Sequence, residues 1–254
     1  MTSEVLVDID DGLMVITLNR PQVRNAVNRA LSYAVCEAID EMERRDDLRL
    51  AILTGAGGHF CTGMDLKAFA QGEITRVDGR GLLGIVLTPP KKPLIAAVEG
   101  YALAGGFEIV LACDLLIASR TALFGLPEAK RGLLAGAGGL LRLPRVIPER
   151  IAMELALTGE MVSAERLERY GLVNRLVEPG QALEEAKRMA RLILANAPLS
   201  VRLGKQVIVE QRDWPLDEMF ERQDALLGDF RSFKDAAEGA AAFVEKRKPK
   251  WTGS

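Results

Sequence analysis

Histidine occurs once in the 254-residue chain, at His59, and cysteine only three times, at Cys36, Cys61 and Cys113. The cysteines are widely spaced, form no Cys-x-x-Cys pair and have a single histidine for company, which excludes a structural zinc site; no metal is expected. An odd cysteine count also fits a reducing, cytoplasmic compartment. The opening residues Met1-Thr2-Ser3-Glu4-Val5 carry neither a basic leader nor an apolar run, so no signal peptide is visible. Aromatics are scarce at 5%, and the net charge is −2. A nucleic-acid binder would need a basic, aromatic-studded surface, so no nucleic-acid partner is expected.

Long apolar runs are nearly absent too. Leu94–Ser119 could span a bilayer by length, but it contains Glu99, Glu108 and Asp114. One acid at mid-membrane costs at least ~2.5–3.5 kcal/mol. A buried strand followed by a buried helix fits the segment better, and no membrane partner is expected. Nucleotide signatures fail at their decisive positions. Gly58-His-Phe-Cys-Thr-Gly63 has phosphate-loop spacing, but Met64-Asp65 stands where Lys-Ser/Thr would grip phosphate and magnesium. Gly136-Ala-Gly138-Gly139 opens like a dinucleotide fingerprint and then puts Leu141 where the last glycine belongs.

What is present is 48% apolar residues, enough for one large core or a core with an appendage. Val5–Asp8 and Met14–Leu18 flank Asp10-Asp11-Gly12, a hairpin signal. Val27, Leu31, Val35, Ile39 and Met42 recur at helical spacing. Strands are expected at Leu50–Leu53, Leu94–Val98, Leu115–Ser119 and Ala122–Phe124, and helices from Asp65, over Leu82–Leu87 and over Gly105–Cys113. Gln71–Arg80 is polar and reads as a flap. Beyond Pro148 the pattern is helical, with Val173–Val177 as the one strand-like interruption. The fold class is α/β, mixed first and mainly helical afterwards.

Two glutamates stand out. Glu108 and Glu128 lie in glycine- and proline-punctuated segments rich in Ala, Leu and Ile, where an ionised carboxylate is costly unless it is paired, solvated in a cleft or shifted in pKa. Two such groups in one pocket suit addition or removal of water, one taking a proton and the other giving one. Three glycine turns, Gly55–Gly63, Ala104-Gly105-Gly106 and Gly132–Gly139, each precede an expected helix. Such turns either expose N–H groups to a developing negative charge or simply allow close packing.

Several landmarks occur together: Asn25-Ala26, Phe60-Cys-Thr-Gly-Met-Asp65, Lys92-Pro-Leu-Ile-Ala-Ala-Val-Glu-Gly-Tyr-Ala102, Gly105-Gly-Phe-Glu108, Cys113-Asp114, Phe124-Gly-Leu-Pro-Glu128, Gly136-Ala-Gly-Gly139 and Leu157-Thr-Gly159. By these the chain resembles the enoyl-CoA hydratase/isomerase (crotonase) superfamily, essentially end to end. The resemblance implies a spiral of ββα turns over residues 1–195 and a helical C-terminal trimerisation region over 196–254, with trimers often paired into hexamers. It implies an acyl-CoA thioester substrate, so that coenzyme A enters with the substrate and no separate cofactor is needed. The thioester oxygen would be held by the N–H groups of Met64 and Gly105; losing one such donor costs ~2.7–4 kcal/mol of transition-state stabilisation.

By the same resemblance Glu108 and Glu128 match the hydratases' catalytic pair, and Gly136 the N–H that orients water. Gln22, Arg24, Lys67 and Lys246 are the candidate CoA contacts. Ala135 departs from the proline common in hydratases, and Lys130 and Arg131 follow Glu128 closely. The runs around Glu128 and Leu141-Arg-Leu-Pro144 look closer to carnitinyl-CoA dehydratase-like members. The expected activity is hydration of a 2-enoyl-CoA. The alternatives are dehydration of a polar acyl-CoA such as carnitinyl-CoA, double-bond isomerisation, or plain binding of acyl-CoA or RNA.

Overall fold

The computed structural model describes residues 3–254. β1 (Val5–Asp10) and β2 (Leu13–Leu18) pair antiparallel, Val5 facing Leu18 and Asp10 facing Leu13. Asp11 and Gly12 make the turn with φ of 40° and 83°, the left-handed pair that matches strand twist in a two-residue hairpin. The chain then enters α1 (Arg29–Arg44), whose N-cap Asn28 accepts from the N–H of Leu31. Leu31, Val35, Ile39 and Met42 form its buried stripe, as their spacing predicts.

β3 (Leu50–Gly55) lies parallel to β2 and is followed by the short α2 (Leu66–Ala70), capped by Asp65. β4 (Arg76–Val77), within the segment read as a flap, pairs with β5 (Gly81–Leu82) just beyond it in a small hairpin, and Arg80 pairs with Asp40 of α1. The helix expected over Leu82–Leu87 is absent. Gly81, Leu83 and Gly84 have φ of +77°, +52° and +68°, which no right-handed helix accepts. Leu82 to Val86 are buried as tight turns instead, with Leu87 exposed and the N–H of Leu83 donating to Ser32 Oγ of α1.

Two ββα turns follow. β6 (Leu94–Val98), β7 (Tyr101–Leu103) and α3 (Gly105–Ala112) form one. β8 (Leu115–Ser119), β9 (Leu123–Gly125) and α4 (Gly139–Val146) form the next, a 3-10 turn at Pro127–Arg131 intervening. The span weighed as a membrane segment is thus strand, strand, helix and strand. α5 (Glu149–Thr158), β10 (Val162–Ser163), α6 (Ala164–Arg169) and β11 (Arg175–Val177) complete this part. β10 is a second interruption of the helical half and too short to show a period.

Among the described residues the main sheet runs β1-β2-β3-β6-β8-β11, parallel from β2 onward, and a second sheet runs β10-β9-β7. Leu94–Val98 is fully buried, as expected of a parallel strand covered on both faces. The remaining helices are α7 (Ala182–Leu194), α8 (Pro198–Glu210), α9 (Met219–Leu227) and α10 (Lys234–Glu245).

The described chain divides into two compact units. One holds the residues up to Pro90 and Leu94–Ala190; the other holds Lys91–Pro93 and Arg191–Ser254. Within the second, the buried Asp235 of α10 accepts from the N–H groups of Thr252 and Gly253, at 2.7 and 2.9 Å, and Trp251 Nε1 donates to Ala195 O. No single helix among the described residues is long and apolar enough to cross a membrane.

Candidate active site

Strand pairing places the glycine turns of the sequence side by side. The loop leaving β3 is sewn down by Asn25, fully buried at φ 56°. Its Nδ2 donates to Ala56 O and His59 O, and its Oδ1 accepts from the N–H of Arg20. The next stretch bridges to Val27 through Val27 N–H to Gly63 O and Asp65 N–H to Val27 O. Asp65 is held between Arg20 Nη1, 3.1 Å away, and the N–H groups of Lys67 and Ala68. Burial alone would raise its pKa, but those hydrogen bonds and the guanidinium keep it below the usual range. An ionised cap there fixes the direction of the backbone at Met64.

After β7 comes Ala104, whose φ of 51° and ψ of −130° turn the chain abruptly into α3. Its N–H donates to Gly125 O of β9. The N–H of Gly105, first in the helix, has no intrahelical acceptor. Among the described residues, neither it nor the N–H of Met64 donates to another backbone oxygen. They lie close together: a Cβ added at Gly105 would stand 3.8 Å from Met64 N, and one at Gly63 would stand 3.0 Å from Gly105 N. Two unengaged donors with a helix N-terminus behind one of them have the chemistry to meet a negative charge.

One turn further along α3 is Glu108, 3% exposed. Its Oε1 accepts from the N–H groups of Ala137 and Gly139, both at 2.8 Å, just before and at the start of α4. Burial raises its pKa even though these two N–H groups and the Arg142 guanidinium pull it down. Glu128 enters from the 3-10 turn after β9, 9% exposed, and its Oε2 is a buried oxygen with no hydrogen-bond partner. Its pKa is pushed up to about 7, first by burial and then by the charge of Glu108. Its own N–H and Arg131 act the other way. The two carboxyls therefore sense each other, and their environments differ: one oxygen of Glu108 is clamped, whereas Glu128 presents a bare one.

The remaining candidates are distributed differently. Gly136 donates its N–H to Leu134 O at 2.8 Å in a tight turn, and the N–H groups on Glu108 come from Ala137 and Gly139. Gln22 is exposed, and Arg24 stacks its guanidinium over Tyr101, 5.3 Å from the ring centre. Tyr101 stacks in turn on His59 at 4.9 Å. Lys67 is exposed in the first turn of α2. Lys246 belongs to the C-terminal unit, where it ends α10 at φ 55°. Asn25, Ala137, Gly139 and Arg142 stood inside motifs quoted from the sequence but were given no individual role there; for Ala137 and Gly139, a backbone N–H carries no signal in residue identity. Among the described residues no cluster of His, Cys, Asp and Glu could hold a metal ion.

Two buried carboxyls that feel each other's charge and two neighbouring N–H groups without a backbone acceptor lie in one compact unit of the chain, and relatives match along nearly its whole length. The family model for enoyl-CoA hydratase/isomerase matches residues 8–254. The chain belongs to that family. The crystal structure of an enoyl-CoA hydratase from Mycobacterium tuberculosis H37Rv superimposes with a TM-score of 0.98 and 55% identity, covering 100% of both chains. Mevalonyl-coenzyme A hydratase sidH of Aspergillus fumigatus is 42% identical over 250 residues, 95% of this chain and 92% of its own. Carnitinyl-CoA dehydratase of Salmonella arizonae is 42% identical over 253 residues, 95% of each.

Proposed function

We propose that the protein is a hydro-lyase of the enoyl-CoA hydratase type, adding water across the 2,3 double bond of a 2-enoyl-CoA thioester. The observation that carries this reading is the asymmetric carboxyl pair. Glu108 is clamped through one oxygen, and Glu128, with its pKa at about 7, retains a proton near neutrality and has an unpartnered oxygen. Water sits between the two carboxyls. Glu108 takes its proton as the oxygen attacks C3, and Glu128 gives its proton to C2. The charge that develops on the thioester oxygen is met by the N–H groups of Met64 and Gly105, which hold the enolate better than the ground-state carbonyl. The proton on Glu108 returns to Glu128 before the next turnover. Gly136 would orient the water only if the turn to Leu134 opens.

Gln22, Arg24, Lys67 and Lys246 are proposed CoA contacts, with the cations meeting phosphate. Coenzyme A arrives as part of the substrate and no further cofactor enters the scheme. A homotrimer or a dimer of trimers in the cytoplasm is the proposed working form. A second reading, removal of water from a polar 3-hydroxyacyl-CoA, uses the same groups in reverse. It is favoured by Arg131, whose charge bears on Glu128, and by the 42% identity to a carnitinyl-CoA dehydratase.

The test is loss of the conjugated thioester absorbance of crotonyl-CoA, with Glu108→Gln and Glu128→Gln alongside. Turnover by the parent enzyme, with each variant down ~10²-fold or more, supports paired acid–base hydration. Binding without loss of absorbance moves the assay to longer 2-enoyl, 3-enoyl and carnitinyl thioesters. Failure to bind any CoA thioester ends the reading.

A further inference from the structure

Arg142 lies in the first turn of α4, where a cation faces the positive end of the helix dipole, an unfavourable place unless something compensates. The compensation is visible. Its side chain folds back toward the helix start and crosses Gly138 so closely that a Cβ there would stand 2.2 Å from Nη1. Gly138 itself has φ +100°, a backbone conformation that favours glycine, and its missing side chain leaves the path of the guanidinium open. From there Nη2 donates to Val86 O, in the turns that follow β5, and Nη1 donates to Ala137 O at 3.4 Å. Ala137 is the residue whose N–H holds Glu108, and Leu82, at the head of the same turns, reaches within 2.7 Å of where a Cβ on Gly105 would be.

We propose that Arg142 is a positioning residue that locks the Leu82–Leu87 turns to the 135–139 loop, so that the Gly105 donor and the Glu108 clamp are held as one preorganised unit. This rests on the acid–base reading of the site. The peptide of Ala137 is gripped from both sides, its N–H by Glu108 and its neighbouring carbonyl by Arg142. Release of one grip loosens the other. The guanidinium also adds a positive charge to the field at Glu108, where the other charged groups are Glu128 and, beside Glu128, Arg131. A lysine could supply the charge but not the two-armed bridge.

The experiment compares the parent enzyme with Arg142→Met, Arg142→Lys and, as a surface control, Arg150→Met, with hydration followed across pH and folding checked by circular dichroism. In Arg142→Met, kcat falls ~10–10²-fold with KM changed less than about 3-fold, and the low-pH limb of kcat/KM moves to higher pH. Arg142→Lys keeps the parent's pH limb and still loses most of kcat. If Arg142→Met does not fold, Arg142→Lys decides alone: the parent's kcat there overturns the proposal. Folded Arg142→Met with the parent's kcat and pH profile also overturns it, leaving the acid–base reading intact. A parent enzyme that turns over no enoyl or 3-hydroxyacyl thioester removes both.

Discussion

The N–H of Gly139 donates to Oε1 of Glu108 at 2.8 Å, and a Cβ on Gly139 would stand only 3.0 Å from that same oxygen. At the residue that opens α4, the missing side chain therefore leaves room for the carboxylate to reach the N–H. Gly139→Ala is expected to push the carboxylate off its clamp, lowering kcat by ~10-fold or more while the fold survives. Steady-state kinetics with crotonyl-CoA check this. An alanine variant with the parent's kcat would mean that the Glu108 side chain yields without cost.

Glu128 ties stability to pH. Its carboxyl has a folded pKa of about 7, above the unfolded value, so the folded state holds its proton more tightly. The stability this contributes is fully present below the unfolded pKa and is lost as pH rises toward and through about 7. Glu128→Gln removes that loss and should be more stable than the parent at pH 8, by on the order of 1–3 kcal/mol, with little difference at pH 4. Urea melts at the two pH values measure it. Hydration by the parent should fall on the alkaline side over the same window, as the acid loses its proton.

Gly105 tests the anion site. Gly105→Ala would place a methyl 2.7 Å from Leu82 Cδ2 and 3.8 Å from Met64 N. Alanine keeps the N–H but is crowded by Leu82, so the expected result is a fall in kcat of up to ~10²-fold through displacement of that donor. Leu82→Ala relieves the packing clash, so the double variant separates crowding from loss of the donor pair. Recovery in the double variant would assign the defect to Leu82.

Asn25 bears on stability and on the site together. Asn25→Ala leaves the carbonyls of Ala56 and His59 and the N–H of Arg20 without their partner, and it puts alanine at φ 56°. A loss of roughly 2–4 kcal/mol in a chemical melt is expected. The surviving folded enzyme should lose more in kcat than in KM, because the loop it holds carries the Met64 N–H.

Elements whose form depends on local chemistry could be read from the sequence. Asp11-Gly12 demanded a left-handed turn, Leu31 to Met42 kept a helical period, and the two glutamates had no structural excuse. The Leu82–Leu87 turns could not be read, because an apolar run of six residues has no period of its own and two glycines decide its path. β7 and β10 are three and two residues long, and only their partners across the second sheet define them. The site was half legible for a related reason. Glu108 and Glu128 act through side chains, whereas Ala137 and Gly139 act through N–H groups that every residue but proline possesses. Arg142 appears in the sequence only as part of Leu141-Arg-Leu-Pro144, and nothing there signals that its guanidinium reaches across Gly138 to Val86.

The donor pair at Met64 and Gly105 has a lesson for anyone diversifying this enzyme. Gly63, at φ +89°, has Ala104 Cβ 2.8 Å and Gly105 N 3.0 Å from where its own Cβ would be and resists any substituent, whereas at Gly105 the near atom is only the end of the Leu82 side chain. Met64 contributes only its N–H to the pair, and its side chain is half-buried and unconstrained by that duty. A saturation library at residue 64 therefore keeps that N–H in every member but proline, whereas the same library at 63 forces side chains onto a left-handed backbone that resists them.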